Sequence, residues 1–136
     1  MNEALPTGVS SLTRPFWDAA RESILVRPVC NQCGLNFFAP QLACPKCYSE
    51  SWSYQPSSGS GVVETFTVVH RAPTGEREPP YIVAVVALEE RWRMMTNIVN
   101  CAPDAPRIGD PVSVCFEKLK NGVTVPVFEL VKQERS

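Results

Sequence analysis

The chain has 136 residues, of which 44% are hydrophobic and 20% charged, enough apolar material for one compact unit or two small ones. Its formal net charge of −1 excludes a general electrostatic attraction to nucleic acid or to an anionic membrane. Neither a signal-peptide core at the start nor a segment of transmembrane length is present. We therefore expect a cytoplasmic protein that binds neither nucleic acid nor membrane.

Residues 1–10 are predicted to be a flexible lead, followed by a short helix. Thr13 is placed to cap this helix, and Pro15 falls in its first turn, where proline is tolerated. An apolar stripe then runs over about three turns. It consists of Phe16, Ala20 and Ile24, with Trp17 adjacent. The stripe packs either on its own domain or, through Phe16 and Trp17, on a partner protein, since so short a helix is unstable alone.

Four cysteines form a C-x2-C-x10-C-x2-C array made of Cys30, Cys33, Cys44 and Cys47. Two such knuckles joined by a hairpin bring four thiolates together, which is the tetrahedral cage of a structural zinc ion. Iron in a rubredoxin-like electron carrier is the alternative, because sulfur cages also accept iron. A closed cage leaves no coordination position for a substrate, so the metal explains folding and not catalysis.

The rest of residues 11–56 completes a zinc ribbon with the helix. Gly34 follows the second cysteine, where the chain must turn and direct backbone N–H groups at the thiolates. Phe37 and Phe38 are predicted to form the ribbon's own small core. A module of this size depends on its metal to fold.

A flexible junction is predicted at residues 57–61, followed by a barrel over residues 62–136. Five strand-like runs cover roughly 62–71, 81–88, 92–99, 112–119 and 123–131. One longer connection separates the third run from the fourth, which fits a five-stranded Greek-key barrel of the OB type, although an SH3-like barrel also fits. The predicted fold class is therefore mainly β: a short helix and zinc ribbon, then an OB-fold barrel.

Residues able to perform catalysis are scarce. His70 is the only histidine and ends the first barrel strand, where a structural role is favoured over that of a general base. Cys115 lies in an apolar strand, and Cys101 has no neighbouring histidine to activate it. The acidic residues are scattered. We predict no catalytic residue, and hence no enzyme in this chain by itself.

The sequence resembles bacterial and archaeal OB-fold proteins with a rubredoxin-like zinc ribbon, long described as a domain of unknown function and associated with acyl-CoA metabolism. Motifs carry this resemblance over nearly the whole chain from about residue 12. They include Pro15-Phe16-Trp17-Asp18, Cys30-Asn31-Gln32-Cys33-Gly34, Cys44-Pro45-Lys46-Cys47, Val69-His70-Arg71-Ala72-Pro73, Pro79-Pro80-Tyr81, Thr96-Asn97-Ile98-Val99 and Ile108-Gly109-Asp110-Pro111.

The resemblance implies a non-catalytic subunit that stabilises a thiolase-like enzyme and helps to form its site or channel for a CoA thioester. Thiolases and lipid-transfer-protein-like aldolases that shorten steroid side chains are such partners, and a steroid or bile-acid retro-aldolase in a heterotetramer is one expected case. Phe16 and Trp17 would then anchor the partner. His70, Arg71 and Tyr81 would face the ligand, although ordinary strand-end packing explains them equally well.

Two alternatives to the subunit remain at this point. The chain could be a free-standing acyl-CoA carrier without an obligate partner. A zinc ribbon joined to an OB barrel could also bind nucleic acid, but that function requires a basic groove with aromatic platforms. The basic residues of this chain are spread out and balanced by acidic ones, which disfavours the second alternative.

Overall fold

The structure, a computed structural model, describes residues 10–71, 78–119 and 122–131. One helix and seven strands lie within these ranges. They are α1 (Arg14–Arg21), β1 (Val26–Cys30), β2 (Trp52–Pro56), β3 (Ser60–Val69), β4 (Tyr81–Leu88), β5 (Arg93–Val99), β6 (Pro111–Lys118) and β7 (Thr124–Leu130). Over the described part of the chain, no helix has the length and apolarity needed to cross a membrane. Apart from Ser10, the predicted flexible lead lies outside the described residues.

Strands β3 to β7 close into a barrel with the strand order β3-β4-β5-β7-β6. Neighbouring strands are antiparallel except β5 and β7, which run parallel and pair at Ile98↔Phe128 and Val99↔Glu129. A barrel whose third and fifth strands pair in parallel while the fourth returns to the first has the OB topology, which decides against the SH3-like alternative. The predicted fold class is confirmed.

Buried and exposed side chains do not alternate regularly along β3. Strict alternation along the strand would put Val62 on the same face as Phe66, but Val62 is 41% exposed, whereas Val63 is 1% exposed. The register shifts between Val63 and Thr65, which indicates a β-bulge at Glu64. Because side chains alternate with a period of two, one extra residue moves the preceding positions to the opposite face. The bulge therefore puts Val63 into the core in place of Val62.

Helix α1 is shorter than the three turns that the apolar stripe predicts. It ends at Arg21, and Ser23 has a positive φ of 61° that turns the chain away from the helix axis. Ile24 is consequently 46% exposed, and Leu25 is buried in its place. Thr13 occupies the N-cap position but makes no side-chain capping hydrogen bond. The helix is instead held by burial of Phe16 and Ala20.

The helix, the ribbon and the barrel share one core. Phe16 and Leu25 belong to the same buried cluster as barrel residues such as Phe128 and Trp92. Phe37 packs in a second cluster with Cys30 and Cys44, as predicted for a ribbon core. Phe38 was predicted in that ribbon core as well, but its ring packs against Phe16 and Trp92 instead. The two phenylalanines therefore face opposite ways, one towards the cysteines and one towards the barrel.

The predicted junction at residues 57–61 makes hydrogen bonds to the barrel. Strand β3 already begins at Ser60. The Ser57 hydroxyl donates to Glu90 Oε1 and the Ser58 N–H donates to Glu90 Oε2, each at 2.8 Å. Glu90 lies in the turn between β4 and β5. This carboxylate thus ties the connection from the ribbon to the barrel, a contact that composition alone does not reveal.

Candidate metal centre and apolar groove

The two cysteine knuckles have the same backbone hydrogen bonds. In the first, the Gly34 N–H donates to the Cys30 carbonyl at 3.0 Å; in the second, the Tyr48 N–H donates to the Cys44 carbonyl at 2.9 Å. Both turns require a positive φ, which is 78° at Gly34 and 63° at Tyr48. Glycine adopts this conformation without strain and tyrosine does not. The knuckles are therefore equivalent in backbone, but only the first has the residue that suits the turn.

The four thiol groups converge on one point, as predicted. All four Sγ atoms lie within 4.8 Å of one another. The Cys30 and Cys47 sulfurs are 3.5 Å apart, and those of Cys33 and Cys44 are 3.6 Å apart. A tetrahedral ion with Zn–S bonds of about 2.3 Å places its sulfurs about 3.8 Å apart. The cysteines therefore fit a zinc ion, which would be held in a closed structural site.

Backbone N–H groups surround the sulfurs. The N–H of Gln32 and that of Cys33 each lie 3.4 Å from Cys30 Sγ, and the Lys46 N–H lies 3.4 Å from Cys44 Sγ. The chain was predicted to turn at Gly34 and to direct backbone N–H groups at the thiolates, and it does so, although the N–H of Gly34 itself bonds to a carbonyl. Its role is to make the turn, and the residues before it supply the donors.

Backbone hydrogen bonds, burial and neighbouring sulfurs shift the pKa values of three of these thiols. The Cys33 N–H, opposed by desolvation and aided by Gln32, lowers the pKa of Cys30 to about 6. Desolvation raises the pKa of Cys44, but the N–H groups of Cys47 and Lys46 outweigh it and lower this pKa overall. For Cys47, a hydrogen bond from the Ser49 N–H is outweighed by desolvation and the neighbouring sulfurs, which raise its pKa to about 12. Full ionisation therefore calls for a cation at the centre.

An apolar groove of about 500 Å³ opens beside helix α1. It exists because β5 and β7 pair only near their C-terminal ends, so their first halves diverge. At the gap, the two strands are joined by a side-chain bond, in which the Thr96 hydroxyl donates to the Pro126 carbonyl at 3.1 Å. The groove is lined by Phe16, Trp17, Phe38, Tyr81, Val83, Met94, Met95, Thr96, Asn97, Leu119, Val125, Pro126 and Val127.

The groove brings together residues that the sequence suggested for different roles. Phe16 and Trp17, predicted as partner anchors, and Tyr81, predicted to face a ligand, all line it. Phe16 is only 4% exposed, so most of its surface packs within the chain, and Trp17 is the more accessible of the two side chains. His70 and Arg71 are exposed just beyond β3 and line neither of the two described cavities. Residues 72–77, which follow Arg71, lie outside the described residues.

Met95 is the groove residue that the sequence interpretation overlooked. It is 72% exposed, although methionine is among the residues most often buried. Its position directly before the Thr96-Asn97 motif could have drawn attention to it. By contrast, Cys101 and Cys115 are partly buried, and burial raises the pKa of each thiol.

Comparison with known proteins agrees with this architecture. Residues 17–53 match the family described as "ChsH2, rubredoxin-like zinc ribbon domain", and residues 54–117 match "ChsH2, C-terminal OB-fold domain". A "DUF35 domain-containing scaffold protein" of Methanothermobacter thermautotrophicus is 38% identical over 94 residues, which are 67% of this chain and 70% of that protein. The chain belongs to the DUF35 family. This membership confirms both the family resemblance and the predicted zinc cofactor.

This DUF35 chain has two further relatives whose names are those of an enzyme or an enzyme subunit. It superimposes on a chain of the solved "Ltp2-ChsH2(DUF35) aldolase" with a TM-score of 0.84 and 33% identity, over 92% of this chain and 98% of that one. A "Probable enoyl-CoA hydratase alpha subunit" of Thermomonospora curvata is 38% identical over 123 residues, 89% of this chain. The DUF35 chain spans only 39% of the length of that hydratase subunit. It therefore matches one part of a longer protein.

Proposed function

We propose that this DUF35 chain is the non-catalytic scaffold subunit of an acyl-CoA enzyme whose catalytic chain has the thiolase fold. The observation that carries the proposal is the match over 98% of a chain in the Ltp2-ChsH2(DUF35) aldolase, because it extends over the helix, the ribbon and the barrel together. The name "scaffold protein" given to archaeal relatives supports a role in assembly. A steroid or bile-acid side-chain retro-aldolase is the specific partner reaction that we propose.

The chemistry of the described residues supports this division of labour. Their metal-binding cluster is a closed sulfur cage, which holds the ribbon and has no place for a substrate. His70 and Arg71 are exposed at the end of a strand. The carboxyl group of Glu90, whose pKa is lowered, accepts hydrogen bonds that hold the ribbon on the barrel. Bond-making in the complex would therefore belong to the partner chain.

The groove beside α1 is the proposed docking surface for the thiolase-like chain. Met95 and Trp17 offer the flexible and aromatic side chains that are enriched at protein interfaces. Tyr81, which lines the same groove, would contact the CoA thioester together with Arg71 and His70 beyond β3. The Arg71 guanidinium would bind a CoA phosphate, and the Tyr81 ring would stack on the adenine. Two such subunits with a dimeric partner would give a cytoplasmic heterotetramer.

Co-expression with a thiolase-like protein from the same organism tests the assembly. Size-exclusion chromatography with light scattering should give one complex of both chains. Met95→Glu should separate them, because it introduces a charge into the apolar groove. Leu42→Glu is the matched control, since Leu42 is 70% exposed on the ribbon away from the groove. Separate elution of the wild-type chains, with full activity of the partner alone, would overturn the subunit role.

A free-standing acyl-CoA carrier is the second candidate, favoured by the apolar groove of about 500 Å³, a size that suits small ligands. Calorimetric titration of the isolated chain with a medium-chain acyl-CoA separates the two functions. A carrier binds the thioester alone, with weaker binding in Tyr81→Ala. The scaffold subunit gains such binding only together with its partner.

A further inference from the structure

Two adjacent methionines in β5 lie in different surroundings. Met94 is 5% exposed and belongs to the buried core, whereas Met95 is 72% exposed on the wall of the groove. The difference follows from the pleat of the strand, along which side chains alternate between the two faces. The described residues contain no other methionine. A small reagent dissolved in water therefore reaches the thioether of Met95 far more readily than that of Met94.

The neighbours of Met95 make this wall of the groove suited to an apolar side chain. Its partner across the ladder to β4 is Val85. Asn97 follows two residues later on the same face, and its Nδ2 donates to the Ile82 carbonyl at 2.8 Å. An oxygen atom added to the Met95 sulfur would therefore take its hydrogen bonds from water. A partner that covers the wall would have to remove this water and leave the oxygen without a donor.

We propose that Met95 is a modification site at which hydroperoxides switch off docking in the groove. A lone pair on the thioether sulfur attacks one peroxide oxygen, so that an S–O bond forms, the O–O bond breaks and hydroxide leaves. The proton on the sulfur-bound oxygen passes to the hydroxide, which gives a sulfoxide and water. The sulfur supplies both electrons that reduce the peroxide. The proposal rests on the proposed function, in which the groove is the docking surface for the thiolase-like chain.

The position of Met95 makes this oxidation a switch and not damage to the fold. The side chain lies on the surface, so its sulfoxide displaces no core residue and should leave the stability of the barrel nearly unchanged. Sulfoxide reductases convert the product back to the thioether, so docking should return. In the assembled complex the partner would cover the sulfur. Oxidation should therefore act on the free chain and set how much of it can assemble.

The experiment treats the full-length, zinc-loaded chain with hydrogen peroxide and then with a phosphine, which reduces oxidised thiols but not the sulfoxide. Tandem mass spectrometry should show that Met95 is oxidised about tenfold faster than Met94. The affinity for a thiolase-like protein from the same organism should then fall about 10- to 100-fold. Methionine sulfoxide reductases should restore it. Anilinonaphthalene sulfonate, an apolar dye that probes the groove of the isolated chain, should also bind more weakly after oxidation.

Met95→Leu is the matched variant, because it keeps an apolar side chain and has no sulfur to oxidise, while every cysteine meets the same peroxide. Compared with its own untreated sample, it should lose neither affinity nor dye binding. A loss in this variant, equal oxidation of Met94 and Met95, or unchanged binding by the oxidised wild-type chain would each overturn the proposal. Untreated chains that do not assemble would contradict the scaffold role instead. The order of oxidation and the dye would then still decide whether the Met95 sulfoxide closes the groove.

Discussion

The ring of Phe38 in the ribbon packs against the indole of Trp92 in the barrel, with 5.6 Å between the ring centroids. Phe38 also touches Phe16 of helix α1, at 5.4 Å. A single side chain of the metal-binding module thus contacts both of the other parts of the fold. This explains how a small ribbon can be held in one orientation on a barrel.

Phe38→Ala should therefore loosen the ribbon from the barrel. The ring is partly buried, so the loss of packing should cost about 2–3 kcal/mol of the free energy of unfolding, less than for a fully buried phenylalanine. Urea unfolding followed by tryptophan fluorescence measures the change. Leu42→Ala on the exposed part of the ribbon is the control and should stay within about 0.5 kcal/mol of wild type. Equal effects of the two variants would contradict the role of Phe38.

Glu90 makes stability depend on pH. Burial raises its pKa, but hydrogen bonds from the Ser58 N–H, the Trp92 indole and the Ser57 hydroxyl outweigh burial and lower it overall. A carboxyl group whose pKa is lowered by folding stabilises the protein above its unfolded pKa, near 4.3. This stabilisation is lost as the pH falls through the lower, folded pKa.

Glu90→Gln should thus destabilise the protein at pH 7 by about 1–2 kcal/mol, a value reduced because Glu90 is only partly buried. The difference from wild type should shrink below pH 4. Unfolding free energies measured from pH 3 to pH 7 test this. Glu89→Gln, at the exposed neighbouring position, is the control and should follow wild type at every pH. A Glu90→Gln deficit that is constant with pH would exclude the carboxylate as its cause.

Sequence could predict the cage and not the groove, for a physical reason. Only two residues separate the cysteine ligands within each knuckle, so local turns such as that at Gly34 determine where their sulfurs point. The groove depends on the divergence of β5 from β7, a relation between distant segments that no local pattern encodes. The contacts of Glu90 with Ser57 are equally long-range. A motif around Thr96 marked the region, but not its geometry.

Gly59 should tolerate no side chain. A Cβ atom there would lie 2.2 Å from Val114 Cγ1, and its φ of +75° also disfavours other residues. Gly109 has a φ of +91° but nothing within 4 Å, so it isolates the backbone effect. Gly59→Ala should cost about 3–4 kcal/mol and Gly109→Ala about 1 kcal/mol, measured by thermal unfolding. Similar costs for both would show that Val114 moves aside freely.

The two knuckles offer a reciprocal pair of substitutions. Gly34→Ala puts a side chain at a φ of +78°, although the space around it is open, so it should destabilise the first knuckle by about 1 kcal/mol. Tyr48→Gly relieves the backbone strain at a φ of 63° and should stabilise the second knuckle by a similar amount. Competition with a chromogenic zinc chelator should show weaker zinc retention in the first variant and stronger in the second. Weaker retention in Tyr48→Gly would mean that its exposed ring supports the cage.

Loss of the metal should affect the barrel as well as the ribbon. Cys30→Ser or Cys47→Ser should release zinc and unfold the ribbon, since the closed site loses one of its four sulfur ligands and a module of this size depends on its metal to fold. Because Leu25 and Phe16 share the core of the barrel, its melting temperature should fall too. Metal analysis and circular dichroism measure the two effects. His70→Ala, at an exposed position, is the control and should keep both zinc and fold. A serine variant that retains full metal content would show that three thiolates suffice to hold the ion.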